Sequence, residues 1–456
     1  AQVERERPKA RAGLARLLGR ILLWPLAMRQ LAALSPRIRA VGVARPRQLA
    51  EGRTPPALAS TRRAPETLRG LAPALPTVQS RRMAAEAATD PVMRLELGGV
   101  AKLTLTRPKK LNSLSLPMIY ELKERYAEIA ASGARCLLLA GEGRAFCAGG
   151  DVAEVQEGVL AGNSTPADFF YDEYVLDYDI ATLRERTGVL QVAVWNGIVM
   201  GGGVGLSIHS PIRIATEKTM FAMPETGIGL FPDVGTTWAL PRLSGGAAMG
   251  IFLGLTGQRL YAADCLRAGI ATHFCPSDKL GEVEASLRAL GDRASDLEAA
   301  SAAIAAAAGG AAPDTAKASL EANSAAIERC FGSGASSAED VVSRLEAENT
   351  EWAAGVLKTL RRVSPTSVKI SLEAIHRHQP ATVTLKDAIT MEYRMSQWCM
   401  RPQPHSDFCE GIRAVLIDKD GKPQWEPAKL EDVSEERVAG FFAPLPPDHP
   451  RGELKL

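Results

Sequence analysis

Several features that would define a class of protein are missing from this chain of 456 residues. Its seven cysteines include no Cys-x-x-Cys pair, so neither a disulfide framework nor a zinc ribbon is indicated, and free thiols in a reducing compartment are expected. The longest apolar run near the N-terminus, 17–34, is broken by Arg20, Pro25 and Arg29 and is too short to span a bilayer. We therefore expect no membrane association.

Common nucleotide-binding and catalytic motifs are also missing. The glycine cluster at 201–205 does not complete G-x-G-x-x-G, because Leu206 stands at the last position, and no Walker P-loop occurs. Ser207 does not lie in a G-x-S-x-G elbow, since His209 occupies the final position. The His-x-His at 376–378 has no third ligand nearby, so no metal site is expected.

Acidic residues are scarce in the first 82 positions, which contain 16 Arg and one Lys against four Glu and no Asp. This composition is typical of an organelle transit peptide, so residues 1–90 are predicted to be a basic N-terminal extension and the protein to reach the mitochondrial matrix. The alternative is a retained extension in which residues 1–82 bind RNA or another partner.

From residue 92 the hydrophobic pattern indicates ordered α/β structure. Residues 92–108 alternate around two glycines and predict a β-hairpin, and 116–131 predict an amphipathic helix with a proline in its first turn. The apolar runs 135–141, 189–197 and 212–216 predict buried parallel strands. Strands that alternate with helices place the loops, and with them the site, at the strand ends.

After about residue 280 the pattern becomes helical. We predict an α/β core over 91–290 and a mostly helical C-terminal region over 291–456. Within that region the Ala-rich stretch 300–313 is expected to be a surface helix or a spacer.

Two glycine-rich loops, 141–151 and 196–205, each follow a predicted parallel strand, and the second leads into a short predicted helix at 204–209. Such loops direct free N–H groups at a ligand, and donors from two loops that converge on one carbonyl oxygen form an oxyanion hole. Glu225 and Asp233 lie in an otherwise apolar stretch, where a carboxylate serves as a base or a nucleophile. The combination fits acyl transfer or enolate formation on a carbonyl substrate.

The segments AFCAGGD, NGIVMGGGVGLSIH and MPETGIGLFPDVG, taken together, resemble the crotonase (enoyl-CoA hydratase/isomerase) superfamily, and the resemblance extends from about residue 92 to 435. It implies a spiral of ββα units with a helical C-terminal region. It also implies an acyl-CoA substrate and no cofactor beyond the CoA that the substrate carries.

The resemblance also assigns site residues. It implies that the N–H groups of Gly150 and Gly202 form the oxyanion hole. Hydratases of the superfamily use two glutamates; one position is Gly205 here, so that acid is missing, and the other is Glu225.

Asp233 matches an additional acid of the thioester hydrolase branch, and Glu173 an acid that this branch places near a substrate hydroxyl. The implied function is acyl-CoA thioester hydrolysis, in which Glu225 attacks the carbonyl or activates water and Asp233 orients the reacting groups. Two alternatives stay open: a hydratase or isomerase, and a hydrolase-like component of a mitochondrial ribosome.

Overall fold

The computed structural model describes residues 92–401 and 406–456 of the chain, all within the compact unit Pro76–Leu456. The predicted extension 1–90, and with it the predicted RNA or ribosomal contact through residues 1–82, lies outside the described residues.

The strands form two sheets. In the larger sheet the order is β1-β2-β3-β5-β7-β10, with β1 and β2 antiparallel and the other neighbours parallel. The smaller sheet has the order β4-β6-β8-β9, in which only the β8–β9 pair is antiparallel. The strands are β1 Met93–Glu96, β2 Val100–Leu105, β3 Cys136–Gly141, β4 Ala145–Cys147, β5 Leu190–Trp195, β6 Ile198–Met200, β7 Ile212–Ala215, β8 Met220–Ala222, β9 Leu260–Tyr261 and β10 His273–Phe274.

Helices connect the strands and make up most of the C-terminal half. The α-helices are α1 Leu116–Ala131, α2 Val152–Ala161, α3 Thr165–Ala181, α4 Leu183–Thr187, α5 Gly202–Gly205, α6 Thr236–Ala239, α7 Gly246–Thr256, α8 Ala262–Arg267, α9 Leu280–Ala289, α10 Leu297–Ala308, α11 Leu320–Phe331, α12 Ala338–Glu348, α13 Glu351–Leu360, α14 Pro365–His378, α15 Leu385–Cys399, α16 Asp407–Ile412 and α17 Glu435–Gly440. Short 3₁₀ helices occur at Pro108–Lys110, Glu225–Ile228, Leu240–Arg242, Ser277–Lys279, Gly291–Ser295 and Leu430–Asp432, and a π-helix at Arg413–Ile417.

Successive strands alternate between the two sheets. The chain passes from β3 in the larger sheet to β4 in the smaller one, returns through helices to β5, and repeats the pattern with β6, β7 and β8. Each repeat is a ββα unit, so the units stack as a spiral. The predicted fold class, an α/β spiral with a helical C-terminal region, is confirmed.

The larger sheet is covered on both faces, which explains its continuous apolar strands. Leu137 and Leu139 of β3 face the main core, whereas Cys136 and Leu138 face a second core that also contains buried side chains of α9 and α10. This period of two is the side-chain alternation of a strand. The Ala-rich helix α10 therefore packs one face on the sheet and exposes the other, so the predicted surface helix is confirmed and the alternative of a spacer is wrong.

The other local predictions are mostly confirmed. The hairpin forms from β1 and β2, the predicted helix is α1, and the three predicted buried strands are β3, β5 and β7 in parallel register. The helix predicted at 204–209 is shorter and begins earlier, at Gly202, because the backbone turns directly after β6. Within the described part of the chain, no helix is long and apolar enough to cross a membrane.

Asn112 holds the start of the first glycine loop. It is fully buried in the left-handed conformation, with φ 56°, which asparagine adopts more readily than most residues. Its Nδ2 lies within 3.1 Å of the carbonyl oxygens of Glu142, Ala145 and Phe146, and its Oδ1 accepts a hydrogen bond from the Arg107 N–H. One side chain thus ties the end of β2 to β4.

We predict that Asn112→Ala lowers the free energy of unfolding by about 2–4 kcal/mol, because it leaves buried backbone groups without partners. Urea unfolding followed by circular dichroism measures the change. The matched control is Asn323→Ala. The Asn323 amide is half-buried and donates to the Ser319 carbonyl at the start of α11, and the effect of this change is expected to be under about 1 kcal/mol. Equal losses in the two variants would contradict the role assigned to Asn112.

Candidate active site

The first predicted N–H donor, Gly150, follows β4 in an extended segment paired with Leu114. The Leu114 N–H donates to the Gly149 carbonyl, and the Asp151 N–H donates to the Leu114 carbonyl. In parallel pairing this pattern directs the N–H of Gly150, which lies between Gly149 and Asp151, away from Leu114. Within the described residues the Gly150 N–H has no backbone acceptor, so it is free for a ligand.

The second predicted donor, Gly202, is the first residue of α5 and follows β6, the neighbour of β4. An N–H in the first turn of a helix has no partner within that helix, and the described residues supply no backbone acceptor for Gly202. A Cβ placed on Gly149 would lie 3.7 Å from the Gly202 nitrogen. The two loops are therefore adjacent, as the sequence predicted.

Glu225 begins the 3₁₀ helix Glu225–Ile228, is 5% exposed and lies against the second loop, since a Cβ on Gly201 would be 3.0 Å from its Oε1. Helix α16 packs on the other side of this 3₁₀ helix at a distance that only glycine allows. A Cβ on Gly229 would lie 2.1 Å from the Asp407 carbonyl carbon, and one on Gly411 would lie 2.5 Å from that of Ile228. The position of Glu225 is thus fixed from two sides.

Glu173 reaches the same loops from the buried face of α3. A Cβ on Gly202 would be 2.3 Å from Glu173 Oε1, so glycine is needed there to make room for the carboxyl group. Neither Glu173 Oε1 nor Glu225 Oε2 has a hydrogen-bond partner among the described residues, although both are buried. Unpartnered buried oxygens at this place are suited to bind a polar substrate.

Asp233 completes the group. It is 4% exposed, and its Oδ2 accepts a 2.7 Å hydrogen bond from the hydroxyl of Tyr174, the residue after Glu173. The next two residues have left-handed backbones, Val234 with φ 55° and Gly235 with φ 80°. The structure thus brings the predicted residues Gly150, Gly202, Glu173, Glu225 and Asp233 to one place; the catalytic roles given to them stay predictions.

Burial governs the protonation of these acids. It raises the pKa of Glu173 and of Glu225 well above 4.5, and the nearby Asp233 charge raises both further. For Asp233 burial also raises the pKa, but the Tyr174 hydrogen bond opposes the rise and the result is about 6. Asp233 is therefore the acid that ionises most readily near neutral pH.

Gly205 stands where the superfamily resemblance implies a glutamate in hydratases. A Cβ there would lie 2.7 Å from Asp177 Oδ1 and 2.7 Å from the Val234 Cβ, so no larger side chain fits. Asp177 is fully buried and neither of its oxygens has a partner among the described residues; burial raises its pKa well above 3.8. Glycine at 205 is thus required by packing.

Sequence reasoning missed three residues at this site. Asp177 lies four positions after Glu173 on one helix, a spacing that places two side chains on the same face and was available as a signal. Tyr174 directly follows Glu173, and its contact depends on how α3 lies against the Asp233 loop. Glu392 of α15 accepts a 2.6 Å hydrogen bond from the Gly235 N–H, and no local pattern links positions so distant.

The residues for which the sequence predicted no catalytic or metal-binding role make contacts within the structure. Ser207 is buried, accepts a hydrogen bond from Trp195 Nε1 and lies 2.9 Å from the Gly203 carbonyl. His378 Nδ1 lies 2.8 Å from the Thr237 hydroxyl. Across residues 92–401 and 406–456, no group of three or more His, Cys, Asp or Glu side chains is arranged to hold a metal ion.

Comparison with known proteins agrees with this architecture. A family model described as enoyl-CoA hydratase/isomerase matches residues 100–442. The mitochondrial 3-hydroxyisobutyryl-CoA hydrolase of Gallus gallus is 43% identical over 372 residues, which cover 78% of this chain and 89% of that protein. That of Rattus norvegicus is 40% identical over 379 residues, or 81% of this chain and 92% of that protein.

This chain belongs to the 3-hydroxyisobutyryl-CoA hydrolase family. The family lies within the enoyl-CoA hydratase/isomerase superfamily, and solved structures of the superfamily share the fold. A carnitinyl-CoA dehydratase from Mycobacterium thermoresistibile superimposes with a TM-score of 0.67 at 34% identity, covering 79% of this chain and 98% of that one. An enoyl-CoA hydratase from Rhodobacter sphaeroides gives the same TM-score and identity over 80% of this chain and 100% of that one.

For this 3-hydroxyisobutyryl-CoA hydrolase family member, the raised pKa of Asp233 predicts a pH-dependent stability. Because the folded state binds the Asp233 proton more tightly, the stabilisation is complete below pH of about 4 and is lost as pH rises through about 6. Asp233→Asn removes this loss. The free energy of unfolding of the variant minus that of the wild type should therefore increase by on the order of 2 kcal/mol between pH of about 4 and 7.

Urea unfolding of both proteins across that pH range measures the difference. The low-pH end is an internal control, because in the folded state Asp233 and its Asn replacement are both neutral there. If the free energies of unfolding of the two proteins differ by the same amount at every pH, the predicted pKa shift is contradicted.

Proposed function

We propose that this protein hydrolyses the thioester of 3-hydroxyisobutyryl-CoA in the mitochondrion, a step of valine degradation, releasing CoA and 3-hydroxyisobutyrate. The observation that carries the proposal is the placement of Glu225, buried and with a free Oε2, against a loop whose first helical N–H is unpaired. The chemistry needs no cofactor other than the CoA of the substrate. The mitochondrial location is supported by the relatives, which are named as mitochondrial proteins.

In the proposed reaction the thioester carbonyl oxygen accepts hydrogen bonds from the N–H groups of Gly150 and Gly202. Both groups lack backbone acceptors, so no bond within the protein has to break when the ligand arrives. Charge develops on this oxygen as the carbonyl carbon becomes tetrahedral, and fixed donors in a dry site stabilise it by several kcal/mol.

Two routes lead from this arrangement to the products. In the first, a Glu225 oxygen attacks the carbonyl carbon, the C–S bond breaks, the CoA thiolate leaves and takes up a proton, and water hydrolyses the resulting anhydride. In the second, Glu225 takes a proton from a water molecule, whose oxygen attacks the same carbon; the C–S bond then breaks, and the departing CoA thiolate receives that proton from Glu225. Both require ionised Glu225, and Asp233 orients the attacking group. Addition of hydroxylamine separates the routes, since only the anhydride is trapped on Glu225.

Glu173 is proposed to bind the hydroxyl group of the acyl chain. Its Oε1 is buried beside Gly202, has no partner in the described part of the chain and lies next to the proposed carbonyl position. A buried carboxyl group that is left unpaired by an unsubstituted acyl chain disfavours that chain. This arrangement therefore selects hydroxylated acyl groups.

A basic groove beside the site suits the phosphates of CoA. It has a volume of about 910 Å³ and includes Ser115, the residue after the Leu114 that pairs with Gly150. Lys109 and Lys110 line it, are exposed and make no ion pair with a described residue. Exposed ammonium groups without an ion-pair partner attract phosphate groups.

The hydratase alternative is disfavoured by one observation, the contact of Gly205 with Asp177, which excludes a second glutamate at that position. The role as a ribosomal component stays a prediction, because residues 1–82 lie outside the described part of the chain.

We predict that Glu225→Gln lowers the rate of CoA release from 3-hydroxyisobutyryl-CoA by at least about 100-fold, because the amide neither attacks nor accepts a proton. A thiol-reactive dye follows the release. The control is Glu157→Gln, an exposed glutamate of α2, which should retain the wild-type rate. A Glu225→Gln protein with full activity would refute the proposed function.

We further predict that Glu173→Met, which keeps the side-chain length but removes both oxygens, abolishes the selectivity for the hydroxyl group. The ratio of kcat/KM for 3-hydroxyisobutyryl-CoA to that for isobutyryl-CoA should fall by about 10-fold, as expected for the loss of one hydrogen bond between the carboxyl group and the substrate hydroxyl. Glu185→Met, at an exposed position of α4, should leave the ratio unchanged. An unchanged ratio in Glu173→Met would remove Glu173 from the acyl pocket.

A further inference from the structure

The backbone that follows Asp233 adopts a conformation that its sequence alone does not favour. Val234 has φ 55°, which is rare for a β-branched residue, and Gly235 continues with φ 80°. A residue in this region is strained and persists only where surrounding contacts hold it. The contacts that hold Val234 therefore also determine where the Asp233 carboxylate points.

Glu392 supplies those contacts. Its Oε2 accepts a 2.6 Å hydrogen bond from the Gly235 N–H, and its Oε1 accepts one of 3.2 Å from the Thr237 N–H and another from the Thr237 hydroxyl. The side chain is fully buried, so water does not compete for these donors. Both carboxyl oxygens are thus used to fix the loop immediately after Asp233.

The next residue of the same helix supports Asp233 from its other side. The ring of Tyr393 packs edge-on against the ring of Tyr174, with centroids 6.4 Å apart and an interplanar angle of 78°. The Tyr174 hydroxyl is the group that donates to Asp233 Oδ2. Two consecutive residues of α15 therefore contact the backbone after Asp233 and the tyrosine bonded to its carboxylate.

We propose that Glu392 is a positioning residue for Asp233, which holds the loop at 234–237 in the conformation that keeps the Asp233 carboxylate on Tyr174 and directed at the thioester. The inference rests on the proposed function, because it gives Asp233 a part in the reaction. Glu392 itself does not touch the reacting atoms. Its action is exerted through the Gly235 and Thr237 donors.

The test uses Glu392→Gln in the full chain. Because both oxygens of Glu392 accept hydrogen bonds, the amide nitrogen of glutamine must face either the Gly235 N–H or the Thr237 donors, so the loop loses one of its holds in either orientation. We expect kcat for 3-hydroxyisobutyryl-CoA to fall by about 10-fold or more while KM stays within about twofold, since binding groups are left in place.

The matched control is Ser396→Ala, one turn further along α15. Ser396 is also fully buried, but its hydroxyl bonds only within its own helix, to the Tyr393 carbonyl and the Gln397 side chain. This variant should keep kcat and KM within about twofold of the wild type. Equal losses of kcat in Glu392→Gln and Ser396→Ala would indicate a general packing effect and overturn the proposal.

A double-mutant cycle separates positioning from simple stabilisation. If Glu392 acts through Asp233, adding Glu392→Gln to Asp233→Asn causes no further loss of kcat beyond about twofold. If the two losses multiply, Glu392 acts independently of Asp233 and the proposal is wrong. Should Glu392→Gln fail to fold, Thr237→Val replaces it in the cycle, because it removes one donor and keeps the shape of the side chain.

Crystal structures give a readout that does not depend on activity. We expect the separation between the Tyr174 hydroxyl and Asp233 Oδ2, 2.7 Å in the wild type, to increase in Glu392→Gln together with a change in φ of Val234. An unchanged loop overturns the positioning role. If the wild type releases no CoA, the proposed function fails, and this structural comparison still decides the role of Glu392.

Discussion

Exclusion of water from a small group of acids is the condition on which the rest of this site depends. Glu173, Glu225, Asp233 and Asp177 are all buried, and burial raises the pKa of each. Neighbouring carboxylates raise the pKa values of Glu173, Glu225 and Asp177 further. Carboxyl groups in such surroundings retain protons, and their ionised forms are far more reactive than carboxylates in water. The fold provides this environment by enclosing the acids between two glycine loops, one helix and the C-terminal region.

The C-terminal region is part of the site and does more than cover it. Helix α16 packs closely on the 3₁₀ helix that begins with Glu225, because Gly229 lies against the Asp407 backbone and Gly411 lies against the Ile228 backbone. Helix α15 binds the loop that follows Asp233. Glu225 and Asp233 are thus held in place by residues more than 150 positions away in the sequence.

The sequence predicted features whose cause is local. Strand and helix periodicity identified the hairpin, α1 and the parallel strands, and the glycine loops were found because backbone close to a ligand requires glycine. The five site residues came from motif resemblance, and geometry now places them together. Glu392 and Tyr174 could not be found in this way, because their contacts depend on how α15 and α3 lie against a distant loop. For the Ala-rich segment the two expectations, a surface helix or a spacer, could not be separated for a similar reason: its composition says nothing about the sheet that it covers.

The pairing of β4 with β6 has a consequence for how such a site changes over time. The two loops leave neighbouring parallel strands, so the spacing of their amides follows from the separation of adjacent strands, about 4.8 Å, and not from any side chain. Replacement of the surrounding acids therefore leaves the spacing of the two proposed carbonyl donors unchanged. The position of the donors is thus set by the backbone of the sheet, and the reaction by the side chains around them, so the two can change independently.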